Sequence, residues 1–409
     1  MFLLIVTTLW GCPEQSKCTS LPIIVHANQE KILDVQHWPA KNPKKKQTPI
    51  YFIAGGPGQS AAALAPLLTP SFSAILEEND MWFLSPLGTQ KIAPFDCVTK
   101  GSSLEQIFEL SDDITHCLPS KNFSPRDYGS ESAVHHLERL RQHNKHDRII
   151  LYGVSYGTRV AQLYAALYPQ NTHSLILDAV LPLDIGVIGS SKPAERILKK
   201  HLPSAHEHLH ALIKQLPQTL SIYDDEKREK IDITITADIL KFMVHGLLYT
   251  PKHQEELDQL LEQAQKGNWK ILIDTIVTTV DLDVSMGVYF STFCSEDLPF
   301  IKEENAFFPF GAHLLRYCKQ WPRYSYKRDY KVPGHIPILI LAGNWDPVSP
   351  PSYPSILKQG GHKRHWLMWP NQAHVVSFSD CAQKAIVAFL KNIPLSFVLK
   401  DECSNIEHY

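Results

Sequence analysis

The segment Gly153-Val154-Ser155-Tyr156-Gly157 places a serine between two glycines, after the apolar run Ile149 to Tyr152 and before a helical stretch through Tyr168. A serine on a tight strand-to-helix turn projects its hydroxyl, and the small neighbours let the backbone pack closely. The following helix favours negative charge developing at its amino end. A hydroxyl is a poor nucleophile without a base, and a neutral imidazole needs a carboxylate to orient it. Both residue types occur downstream in loops that follow apolar runs. Ile338 to Leu341 leads to Asp346 through Ala342-Gly343-Asn344-Trp345, and Trp366 to Trp369 leads to His374 through Pro370-Asn371-Gln372-Ala373. Ser155 as nucleophile, His374 as base and Asp346 as orienting acid form the expected catalytic set.

Gly55-Gly56-Pro57-Gly58 follows the run Ile50 to Ile53. Backbone amides approach a substrate oxygen closely only where side chains are absent, so the Gly56 and Tyr156 N–H groups are the expected oxyanion donors. Asp178 also ends an apolar run and is the rival acid, but Leu177-Asp178-Ala179 reads as a structural carboxylate. Twenty histidines make chance placement common, and position singles out His374. His206, His208 and His210 follow His201. On a helix His206 and His210 share a face and could take up a metal adventitiously, although a solvated face is the simpler reading, and no metal site is expected.

The elements that must position these residues are short apolar runs alternating with helical periodicity, the pattern of a mostly parallel sheet covered by helices. The runs Ile50 to Ile53, Met81 to Leu84, Ile149 to Tyr152, Leu175 to Leu177, Ile338 to Leu341 and Trp366 to Trp369 are the expected strands. Ala133, Val134, Leu137 and Leu140 mark one covering helix, and Ala382, Ala385, Ile386 and Phe389 another. From Leu183 to about Arg328 the pattern becomes helix after helix, with apolar sets Ile239, Leu240, Met243, Leu247 and Leu257, Leu260, Leu261, Ala264. The expected organisation is an α/β core over 12–183 and 329–409 with an inserted helical cap over 184–328.

The chain has 409 residues, 40 basic and 42 acidic side chains, and a net charge of -2. That balance gives no pull toward a polyanion, so a nucleic-acid partner is not expected. Lys44 to Lys46 beside Pro43 reads as a solvated turn. No apolar run reaches the roughly 18 residues of a membrane span, and 44% hydrophobic content excludes wholesale disorder. Eight cysteines fall as sequence neighbours, Cys12 with Cys18, Cys97 with Cys117, Cys294 with Cys318 and Cys381 with Cys403. Local pairing is the simplest of about a hundred formal arrangements. The spacing does not fit zinc, and disulfides imply an oxidising export compartment. Phe2 to Trp10 resembles the apolar part of a signal peptide without a preceding Lys or Arg, so residues 1–11 are expected to be a signal segment, complete or cut short. Leu9-Trp10-Gly11-Cys12 offers a lipid anchor at Cys12 as the alternative to a bridge with Cys18. The expected location is periplasmic or secreted.

Gly55-Gly56-Pro57-Gly58-Gln59-Ser60, Gly153 to Arg159, Gly343 to Val348 and the closing His374 together resemble the proline iminopeptidase and tripeptidyl aminopeptidase (TAP-like) family of serine exopeptidases. The order Ser155, Asp346, His374 is that of α/β-hydrolases. Trp10, Cys12 and Cys18 resemble the start of secreted members, Cys294 to Pro299 their cap-core return segment, and Cys381 with Cys403 their carboxyl-terminal pair. The resemblance covers nearly the whole chain and implies an α/β-hydrolase fold, a peptide substrate with a free amino end, and no cofactor. It implies cap carboxylates for the substrate ammonium, Glu296 first and Asp297 second, with an ordinary acidic turn as the plain alternative. Ser85-Pro86-Leu87-Gly88 departs from the Asp-Gln-Arg-Gly-like stretch of many relatives and removes an ion pair expected near the site. The rival activities are a carboxylesterase on small or lipid-like acyl esters and a catalytically silent binding fold. Residues released per cleavage and oligomeric state are not written in the sequence.

Overall fold

A computed structural model describes residues 12–409 except 26–27, 46, 91–94, 96–103, 105–116, 118–122, 185, 187–191, 280–283, 301–316, 353–362 and 401–402. The apolar runs become strands because each is shielded on both faces. Every residue of β3 (Ile50–Ile53), β5 (Ile149–Val154) and β9 (Ile338–Gly343) is buried, the signature of a parallel sheet sandwiched between helices. With β1 (Lys17–Val25), β2 (Gln29–Trp38), β4 (Met81–Leu84), β6 (Thr172–Asp178), β10 (Arg364–Trp369) and β11 (Glu407–His408) they form a nine-stranded sheet in the order β1-β2-β4-β3-β5-β6-β9-β10-β11. The six central strands from β4 to β10 run parallel, while β1, β2 and β11 enter antiparallel at the edges. The fold is the expected α/β architecture.

Two apolar clusters separate the faces. On one, Val134, Leu137 and Leu140 of α2 (Ser130–His143) and Val160 and Leu163 of α3 (Tyr156–Leu167) pack with Leu151, Leu175 and Ile340. On the other, Ala61 and Ala65 of α1 (Ala61–Leu68) and Ala382, Ala385 and Ile386 of α10 (Asp380–Leu390) pack with Phe52, Tyr152 and Leu341. Phe389 is partly buried against the same cluster.

Between β6 and β9 the chain builds α4 (Lys192–His201), α5 (Pro203–Ile213), α6 (Ala237–Leu247), α7 (Pro251–Gln265), α8 (Lys270–Thr279) and α9 (Met286–Thr292). Leu240, Met243, Leu247, Leu257, Leu260 and Leu261 share a third cluster of their own. The expectation of helix after helix needs one correction: β7 (Gln218–Asp224) and β8 (Glu229–Ile235) pair as an antiparallel hairpin. Its pattern is period two, with Ile231, Ile233 and Ile235 on one face, and the opposite face lies open. Half-exposed alternation of that kind reads weakly beside long helical segments.

Cys12 is bonded to Cys18, Cys294 to Cys318 and Cys381 to Cys403. Cys117 is also disulfide-bonded, and its expected partner Cys97 lies outside the described residues, as does the apolar segment 1–11. Formed disulfides point to an oxidising, extracytoplasmic environment. Among the described residues no helix is long and apolar enough to cross a membrane. The Cys381 to Cys403 bridge spans a separation of 22 residues and ties α10 to the segment before β11. Replacing both cysteines by alanine is expected to cost about 3 kcal/mol on the chain-entropy estimate, read as a lower urea midpoint, with an m-value that rises if anything as the unfolded chain is released. An unchanged midpoint would contradict this.

Candidate active site

The residues singled out by type and spacing lie at one edge of the sheet, just past the carboxyl ends of β3, β5, β6, β9 and β10. Ser155 sits between β5 and α3 with φ 53 and ψ -123, a region that a non-glycine residue occupies only when its surroundings compel it. The compulsion is visible at Gly157, where a Cβ would lie 2.2 Å from the Ile53 carbonyl oxygen, so the helix start presses directly on β3. The Ser155 amide donates to the Asp178 carbonyl at 2.9 Å, which holds the turn against β6.

The structure brings Ser155, His374 and Asp346 into one chain of contacts. His374 Nε2 lies 2.9 Å from Ser155 Oγ, and His374 Nδ1 lies 2.9 Å from Asp346 Oδ2. A carboxylate can only accept, so Nδ1 carries a proton and Nε2 is left as the acceptor toward the hydroxyl when the ring is neutral. Asp346 is fully buried, yet its oxygens also accept from the Val348 and Ser349 amides at 2.7 and 2.8 Å and from Ser349 Oγ at 2.7 Å. The two loops lace together where Trp345 N–H donates to the Gln372 carbonyl at 2.9 Å.

Electrostatics follow from this geometry. Burial raises the Asp346 carboxyl, but the charge and hydrogen bond of His374 and the Ser349 donors outweigh it and hold it below its ordinary value. For His374, burial opposes the charged ring, while Asp346, with a smaller push from Asp178, lifts it above the ordinary 6.5. The contribution of charged His374 to stability is therefore full below pH 6.5 and lost as pH rises through the raised folded value. That of Asp346 is present above its ordinary 3.8 and lost as pH falls through the lowered one.

The glycine loop lies against the nucleophile: a Cβ on Gly55 would sit 3.2 Å from the Ser155 Cβ. Gly56 has φ +103, a backbone conformation suited to glycine. From the other side the Ser285 amide donates to the Gly58 carbonyl at 3.0 Å and fixes the loop. Tyr156 opens α3, where the first N–H groups have no helical acceptor and can face an incoming oxygen. Its hydroxyl is anchored 2.9 Å from Ser130 Oγ.

Glu296 and Asp297 occupy a different setting from the one expected. Both are fully buried. Asp297 takes a two-pronged hydrogen bond from Arg159, at 2.8 and 2.9 Å, and Glu296 accepts from the Ser130 amide at 2.7 Å, from Ser130 Oγ at 2.5 Å and from the Tyr324 hydroxyl. Burial raises the Glu296 carboxyl despite Arg159 and these donors. The two carboxylates thus neutralise and fasten internal groups. Sequence reasoning passed over Arg159 and Ser130, although an arginine on the helix directly behind the elbow is a cue that a buried counter-charge must exist. Ser85 lies 2.7 Å from Ser60, Oγ to Oγ, so the departing stretch contributes a hydroxyl contact beside the glycine loop.

The segment between β6 and β9 reaches the site through contacts other than the carboxylates expected of it. The His374 amide donates to the Tyr249 carbonyl at 3.2 Å, and the two rings meet edge-on with centroids 5.0 Å apart. Arg196 donates to the Asn344 carbonyl at 3.1 Å and Gln254 to the Trp345 carbonyl at 2.9 Å. His206 and His210 approach each other, Nε2 to Nε2, at 3.1 Å, while His208 pairs with Asp258 at 3.0 Å. Among the described residues no group of three or more His, Cys, Asp or Glu side chains could hold a metal ion.

A family model described as alpha/beta hydrolase fold matches residues 108–385. "Putative hydrolase YuaR" of Escherichia coli (strain K12) is 28% identical over 156 residues, which is 36% of this chain and 30% of YuaR. The chain thus aligns with under a third of that relative's length. Among solved structures, the serine hydrolase CCSP0084 from Cycloclasticus zankles aligns over 92% of this chain and 98% of its own at 11% identity and a TM-score of 0.46. An esterase from Exiguobacterium antarcticum aligns over 93% and 100% at 14% identity and a TM-score of 0.44. Likeness this distant says nothing about substrate.

The imidazole of His374 is expected to titrate above pH 6.5 when its ring carbon signals are followed by NMR, and Asp346→Asn is expected to lower that midpoint. A wild-type midpoint below 6.5 would contradict the electrostatic account.

Proposed function

Because the chain belongs to the alpha/beta hydrolase fold family, we propose that it is a serine hydrolase cleaving acyl bonds through a covalent intermediate on Ser155. The observation that carries this reading is the unbroken relay from Ser155 through His374 to Asp346, with 2.9 Å at each step. Ser155 Oγ attacks the substrate carbonyl carbon as its proton passes to His374 Nε2. Asp346 steadies the imidazolium, and the Gly56 and Tyr156 amides receive the oxyanion. The tetrahedral intermediate collapses as His374 protonates the leaving amine or alcohol. Water, deprotonated by the same imidazole, then releases the acyl group and restores the serine.

For the substrate we infer a peptide with a free amino end, cleaved as proline iminopeptidases and tripeptidyl aminopeptidases do. Support comes from the combined motifs at Gly55 to Ser60, Gly153 to Arg159 and Gly343 to Val348. On this reading residues 12–183 and 329–409 are the catalytic core, 184–328 is the cap, and the enzyme acts in the periplasm or after secretion, in keeping with its disulfides. A second reading, hydrolysis of acyl esters, is favoured by one observation. Glu296 and Asp297, the carboxylates expected to meet an ammonium, are buried and engaged with Ser130, Tyr324 and Arg159.

Chromogenic peptides ending in Pro or Ala, each with a free or acetylated amino end, are to be assayed beside acyl esters of several lengths. Cleavage of the free-ended peptides alone is the expected result, and cleavage of esters alone selects the second reading. Ser155→Ala is expected to lower turnover on the order of a millionfold while leaving the melting temperature in place. Wild-type turnover in that variant would overturn the mechanism.

A further inference from the structure

The residue that ends β6 touches two of the three active-site loops at once. Its main-chain carbonyl receives the Ser155 amide at 2.9 Å. Its side-chain Oδ2 receives the Val376 amide at 2.9 Å and the Ser377 amide at 2.6 Å. Its neighbour Ala179 donates to the Leu341 carbonyl of β9 at 3.1 Å, the strand that delivers Asp346.

The bonds to Val376 and Ser377 have a particular task. Val375, directly after His374, has φ 67. A β-branched residue is a conspicuous outlier there, and such a conformation is strained. It persists only where other contacts over-determine it, and the two amides next along the chain are both held by Asp178. From these contacts, and on the reading of His374 as the catalytic base, we propose that Asp178 is a positioning residue that clamps the base loop to the nucleophile turn and keeps His374 Nε2 on Ser155 Oγ.

A second observation fits the role. Asp178 is fully buried, and burial pushes its carboxyl up to about 6 against the pull of the Ser377 and Val376 donors and the His374 charge. Tyr152 of β5, Ser377 and His374 face it, and Ser377 and Gln383 in turn face the Tyr152 hydroxyl. His374 itself is faced by Asp346, Ser155, Asp178, and, from the inserted segment, His245 and Tyr249. A carboxyl whose folded value is raised above 3.8 favours the fold when protonated, and that contribution is lost as pH rises through about 6. At pH 8 the buried charge therefore works against stability while it serves the base loop.

Asp178→Ala removes the oxygen that both amides share, whereas Asp178→Asn keeps one acceptor for them and removes only the charge. The expected result for Asp178→Ala is a loss of kcat on the order of tenfold to a hundredfold toward a cleaved probe from the substrate panel, as for a displaced catalytic group, with KM unchanged, and Asp178→Asn restores most of that loss. In both variants the acid limb of the pH profile moves to lower pH because the charge beside His374 is gone. Wild-type kcat in Asp178→Ala, or no recovery in Asp178→Asn, would overturn the proposal. If Asp178→Ala does not fold, Asp178→Ser is judged by the same comparison with Asp178→Asn. Failure of the hydrolase reading itself looks different: the wild type then cleaves nothing that Ser155→Ala does not, and the clamp is read from amide hydrogen exchange at Val376 and Ser377, faster in Asp178→Ala than in the wild type, with unchanged exchange overturning it.

Discussion

A serine hydroxyl attacks only while an imidazole stands ready to take its proton, and here the two groups belong to residues 219 positions apart. The 2.9 Å between them is the constraint to which the rest of the molecule answers. Parallel strands solve it economically. Successive strands of one direction end at one edge, so loops distant in sequence emerge side by side. The buried runs of β5, β9 and their neighbours hold that edge rigid, since each strand is covered by helices on both faces.

Charge burial divides into two kinds around the site. Asp346 and His374 are mutually compensated, and the extra donors from Val348 and Ser349 keep the carboxylate ionised in a place with little water. Arg159 and Asp297 form the other kind, a buried pair beneath the helix that follows the nucleophile. Pairs of this type add little net stability, but loss of one partner strands the other, so they fix an arrangement more than they strengthen it. Through Ser130, Glu296 reaches the hydroxyl of Tyr156, the residue whose amide opens that helix.

Much of this was legible in the chain. The central strands, the elbow at Ser155 and the loops carrying Asp346 and His374 all announce themselves through contiguous apolar runs followed by turn residues. The edge strands β1 and β2 did not, because one-sided burial gives an alternating pattern that polar substitutions blur, and β11 is two exposed residues with no pattern to read. Glu296 and Asp297 were legible as chemistry but not as geometry. Only the folded chain reveals that Arg159 and Ser130, more than a hundred residues earlier, already use them. The contacts of Tyr249, Arg196 and Gln254 were hidden for a related reason: each uses a backbone oxygen, and backbone partners leave no trace in residue identity.

Those last contacts couple two distant stretches of chain. Tyr249 holds the amide of His374 itself, while Gln254 and Arg196 hold the loop of Asp346, so the segment between β6 and β9 works as a brace on both loops. Any displacement of Tyr249 must release the backbone that carries the imidazole, and the 2.9 Å relay therefore depends on residues that supply none of its atoms.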